Sequence, residues 1–116
     1  MKERTVKLLG EEVKIKFCMA VVCMYERATN TNFDITKITD NYDSLTLYAA
    51  AIAALNPDTA ITFDRLMTEA TGEEINALRT AVVDSMNEWY HVASEVMPQE
   101  PQPSFEESQG EEKPKN

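Results

Sequence analysis

Few side chains in this sequence stand where they could do chemistry. The most suggestive are Glu88 and His91, whose Glu-x-x-His spacing matches the carboxylate–histidine pair of helical di-metal sites. Direction argues against that use. Counted from Ile75 at about 100° per residue, Asp84 falls near 180°, Glu88 near 220°, His91 near 160° and Glu95 near 200°. All four lie opposite the helix's apolar stripe, whereas metal sites in bundles project inward. A second such motif would also be needed, and His91 is the only histidine.

Cys18 and Cys23 come next. On one helix they stand about 140° apart, too far round to pair locally, and both read as small core residues. No serine or cysteine has a local nucleophile signature or a base beside it. Glu11-Glu12 and Glu73-Glu74 read as a turn and a helix N-terminus, where negative charge is favoured. With only Gly10, Gly72 and Gly110 available, no glycine-rich phosphate loop can form. The expectation is a protein that is not an enzyme, with no catalytic, cofactor-binding or metal-binding residue.

Size and charge narrow the class further. The chain of 116 residues is 43% apolar, enough for one core without disulfides or metal. It carries 20 acidic and 11 basic residues, net −9, and the basic ones are scattered. Such a surface repels phosphate backbones, so no nucleic-acid partner is expected. The apolar run over residues 17–25 is far short of the ~20 residues that cross a bilayer, and no membrane partner is expected. Two cysteines and no secretory pattern point to a reducing cytoplasm.

The elements follow from periodicity. "TVKLLGEEVKIKF" reads as a β-hairpin: Val6, Leu8, Val13, Ile15 and Phe17 share one face, Lys7, Lys14 and Lys16 the other, and Gly10-Glu11 sits between the arms. Residues 19–28 are apolar nearly all round and predict the domain's central, buried helix, with Met19 and Met24 in the core and Asn30 as a left-handed stop. A polar connection with cap candidates Asp34, Thr39 and Asp40 leads to an Ala-rich helix over residues 43–55, its stripe formed by Leu45, Tyr48, Ala49, Ile52 and Leu55. Thr62 caps a short helix, stapled by Ile61 and Leu66. Thr71 and Glu74 form a capping box that opens the longest helix, with Ile75, Leu78, Val82, Met86, Trp89, Ala93 and Val96 along its stripe.

The fold class expected is α+β, mostly α: a short N-terminal antiparallel β-hairpin packed on a small bundle of about four helices. This domain spans residues 1–97. Residues 98–116, rich in Pro and Glu, read as a disordered acidic tail whose one aromatic is Phe105. The long helix has more apolar length than one hairpin and three helices readily cover. Met86, Trp89, Tyr90 and Met97 are therefore the candidate protein-binding residues, on a surface that could also support a homo-oligomer.

"VKLLGEEVKIKF" feeding into "YERATN", then "LYAAAIAALNPDTAITFDRLM", resembles the tail assembly chaperones of long-tailed bacteriophages and prophages, over roughly residues 3–97. Such sequences often place glycine after Glu-x-x-Thr; here it is Asn30, which can take the same backbone conformation. The resemblance implies a non-enzymatic chaperone in the bacterial host cytoplasm that coats the tape-measure protein and recruits tail-tube subunits. Many members are made in two lengths by translational frameshifting, which a folded head with a disposable tail would suit. Two alternatives stand beside it. One is a small helical adaptor or regulator unrelated to phage; the other is a metal-dependent enzyme built on Glu88 and His91.

Overall fold

Two adjacent residues at positive φ, Leu9 at 52° and Gly10 at 81°, reverse the chain between strands β1 (Arg4–Leu8) and β2 (Glu11–Ile15) in the computed structural model, which describes residues 2–96. Positive φ at both central residues is what a type I′ hairpin turn requires. The turn thus lies one residue earlier than the Gly10-Glu11 expected from sequence, and Glu11 opens β2 opposite Leu8. Leu9 accepts a left-handed conformation that costs a non-glycine residue roughly 1–2 kcal/mol. Its N–H donates to Glu74 Oε2 at 2.9 Å and its side chain packs against the core, which offsets that cost.

Register follows the alternation. Val6 pairs with Val13, and Val6, Leu8, Val13, Ile15 and Phe17 are all buried, while Lys7, Glu12 and Lys14 are exposed. A lone two-stranded sheet is marginal in water. Here α4 (Gly72–Val96) covers β1 and α2 (Asn41–Leu55) covers β2. The fold is a two-stranded antiparallel hairpin on four α-helices, as the alternation and helical periodicities predict.

The central helix is α2. Leu47, Tyr48, Ala50, Ala51 and Ile52 are buried, and α2 packs on α1 (Met19–Thr29), α3 (Phe63–Glu69), α4 and β2. This corrects the sequence reading, which gave the central place to residues 19–28. The alanines of α2 let neighbours approach from several sides, whereas α1 packs chiefly on α2 and buries only Val21, Val22 and Tyr25. Met19 is 60% exposed and Met24 42%, and Cys23 is exposed as well. Cys18, the residue preceding α1, is half-buried. The core placement expected for Met19, Met24 and Cys23 is therefore not what the fold gives them: four helices and one hairpin cannot enclose a helix apolar on every side.

The helix ends follow capping chemistry. Asp34 caps a 3₁₀ turn over Ile35–Lys37, inside the polar connection expected from sequence, and Asp40 caps α2. Asn30 ends α1 at φ 57°. Thr62 Oγ1 accepts from the Arg65 N–H, with Ile61 and Leu66 buried on either side. The Thr71 hydroxyl accepts from the Glu74 N–H at 3.1 Å, while Glu74 Oε1 accepts from the Thr71 N–H at 2.9 Å. Thr71→Ala removes one half of that box and is expected to cost about 0.5–2 kcal/mol in chemical unfolding. An unchanged urea midpoint would contradict that role.

Polar clasps hold the hairpin on the helices. Arg4 donates to both oxygens of Glu88 at 3.2 and 2.9 Å. Glu11 accepts from the Thr59 hydroxyl at 2.7 Å and the Ala60 N–H at 3.0 Å. The Asn56 amide, at the C-cap of α2, pairs with the N–H and C=O of Lys14, both at 2.9 Å, as a neighbouring strand would. Glu88, placed by sequence on a water-facing side, is thus the partner of a strand residue.

Each clasp carboxylate is shifted downward. Glu74 is held by the backbone N–H groups of Thr71 and Leu9, Glu88 by its hydrogen bonds from Arg4, and Glu11 by the Thr59 hydroxyl and the Ala60 N–H. A folded pKa below the unfolded one adds stability that is present above the ordinary carboxylate range, near 4.3, and lost as pH falls through the folded value. Urea midpoints are expected to hold between about pH 7 and 5 and to fall below about pH 4. A midpoint that rises on acidification would contradict this.

Candidate functional site

Phe17 leaves β2 at the centre of an aromatic cluster. Its ring lies 5.2 Å from Trp89, 6.0 Å from Phe33 and 6.4 Å from Tyr90, and Phe33 meets Tyr25 edge-on at 5.6 Å. The cluster ties the C-terminal half of α4 to the loop after α1. Tyr90, 42% exposed, passes from this cluster to the surface and helps line an open groove of about 1420 Å³.

The groove is built by α1, the 31–37 loop and α2, with Phe63 of α3 and Tyr90 of α4 at its edge. The α1 wall carries Met24 and Tyr25, and the floor is the small-residue face of α2 formed by Ala49, Ala50 and Ala53. The far rim pairs Tyr42 and Phe63, rings 5.0 Å apart and edge-to-face. Tyr42 is 64% exposed. One end is closed by the 31–37 loop, which Glu26 fixes by accepting the Phe33 N–H at 2.8 Å.

Charge here is acidic. Asp34 and Asp43 line the groove, with Lys37 among them. Asp34 accepts from both the hydroxyl and the N–H of Thr36 at 2.6 and 3.0 Å, which holds its carboxyl below the usual range. Two phenols register the field. Burial, then Asp43 and Asp40, push Tyr25 up; burial, then Asp34, push Tyr90 up.

Set against protein-family models, curated proteins and solved structures, the chain matches none. The site must therefore be read from its own residues.

Of the described candidate binding residues, Met86, Trp89 and Tyr90, the fold brings only Tyr90 into the groove. Met86 is buried, 8% exposed, within the core that α4 forms with the hairpin, because the apolar stripe of α4 meets β1 and β2 along this stretch. As surface contact, Met86 is corrected. Met86→Glu would place a charge in the core and report on folding rather than on partner capture. Trp89 is half-buried against the same core, and Met97 lies outside the described residues, as does the tail over 98–116. Met24, Tyr42 and Phe63 were missed. The signal was present in Met24, on a helix apolar all round in a chain too small to enclose it.

Among the described residues, no group of three or more His, Cys, Asp or Glu is placed to hold a metal ion, and no helix is long and apolar enough to cross a membrane. His91 is exposed. The arrangement can offer a partner apolar contact, aromatic edges and fixed negative charge.

Proposed function

We propose that this protein is a non-enzymatic tail assembly chaperone of a long-tailed phage or prophage, acting in the bacterial cytoplasm to cover the tape-measure protein and recruit tail-tube subunits. The observation that carries the reading is the open groove between α1 and α2, with Met24, Tyr42 and Tyr90 exposed along it. A chaperone of this kind needs apolar surface for a long helical client and enough charge to keep the complex in solution. A net charge of −9 supplies the second. The resemblance over residues 3–97 supplies the identity of the client.

The test is co-expression with the product of the very long gene that should directly follow this one. The expected result is that the client stays in the supernatant and co-purifies with this chain. A client that remains insoluble and does not co-purify would overturn the proposal.

A further inference from the structure

We propose that the α1–α2 groove takes a basic amphipathic helix, whose apolar face seats against Ala49 and Ala53 and whose flanking lysines or arginines meet Asp34 and Asp43. This rests on the protein-binding reading above and adds the chemistry of the partner segment.

At about 1420 Å³ and open to solvent, the groove is larger than the roughly 300–1,000 Å³ of typical small-ligand pockets and has room for an extended polypeptide segment. The floor allows close approach, because a helix can lie nearer to a surface of alanines than to one of longer side chains. The rim supplies aromatic anchors: Tyr42 and Phe63 on one side, Tyr90 at the end, with the flexible thioether of Met24 opposite.

Charge selects among occupants. Two carboxylates line the groove, Asp34 and Asp43, against one lining cation, Lys37. A second copy of this chain, at net −9, would bring like charge to like. The chain's own segment beyond residue 97 carries five glutamates and two lysines and would do the same. A foreign segment with positive flanks fits the rim, and attraction across it would speed encounter and fix the orientation of the bound helix.

The probe is a synthetic amphipathic helix of about 18 residues, Leu and Ala on one face and Lys on the flanks, against a counterpart with Glu for Lys. Binding to the full-length protein is read by fluorescence anisotropy at low and moderate salt. The lysine peptide is expected to bind at least about tenfold more tightly than the glutamate one, with the difference shrinking as salt rises. Tyr42→Ala is expected to weaken binding about tenfold, Tyr42→Phe to retain it, and Asp43→Asn to narrow the gap between peptides. The Tyr42 ring is mostly exposed, so an unchanged melting temperature in Tyr42→Ala would confirm that the loss is local.

Equal binding of the two peptides, binding of neither, or indifference to Tyr42→Ala would overturn the proposal. So would tighter peptide binding in Phe105→Ala, which would mark the chain's own tail as occupant, or a dimer that Tyr42→Ala dissociates. These outcomes are separable from the co-expression result. A client kept soluble by a protein that ignores the lysine peptide retains the chaperone reading and removes this one.

Discussion

Phe17→Ala is expected to lower unfolding stability by about 3–5 kcal/mol, the range for removing a fully buried aromatic ring. The residue is 1% exposed and joins three parts of the fold: it lies two residues beyond β2, meets Trp89 and Tyr90 of α4, and supports Phe33 in the loop closing the groove. Collapse into the vacated space is restricted, because Trp89 and Tyr90 stand on α4 and the Phe33 backbone is pinned by Glu26. For a domain this small, each kcal/mol shifts the melting temperature by about 4–8 °C, so a fall of at least about 12 °C is predicted. Phe17→Leu should recover most of the loss by refilling the volume. A fall of only a few degrees in Phe17→Ala would mean that the cluster is incidental to the fold.

Ser85→Ala carries the second large effect. Ser85 is buried on α4, and its hydroxyl accepts the backbone N–H of Phe17 just where β2 ends. Strand pairing stops at Ile15, so that N–H has no ladder partner. Removing the oxygen leaves a buried donor unsatisfied, which costs about 1–3 kcal/mol. Ser85→Thr restores an acceptor and should lie closer to the wild type, apart from crowding by its extra methyl group. Combined with Phe17→Ala, the loss should fall short of the sum, because both changes release the same junction. Strict additivity would contradict the coupling.

Much of this fold was legible because its signals are local. The hairpin's alternation assigns Val6, Leu8, Val13 and Ile15 to one face, and Thr62, Thr71 and Glu74 mark two helix starts by side-chain geometry that involves only neighbours in sequence. What escaped depends on the count of elements rather than on any one of them. The apolar circumference of α1 implied burial, yet only α2 is available to cover it broadly, so Met19 and Met24 face outward. The stripe of α4 implied spare surface, yet the hairpin lies along it and takes Met86 into the core. The expected places of surface and core are thus exchanged between α1 and the middle of α4. The clasps from Arg4, Glu11 and Asn56 span 42 to 84 residues of sequence and have no signature in spacing.

The most direct test of the groove as the partner-binding surface is hydrogen exchange on this protein alone and in complex with its co-expressed client. Amides over residues 24–37 and 42–53, which form the wall, end and floor of the groove, are predicted to slow in the complex, while those of the hairpin stay unchanged. Protection confined to the hairpin or to α3, with the groove segments exchanging as before, would contradict the account.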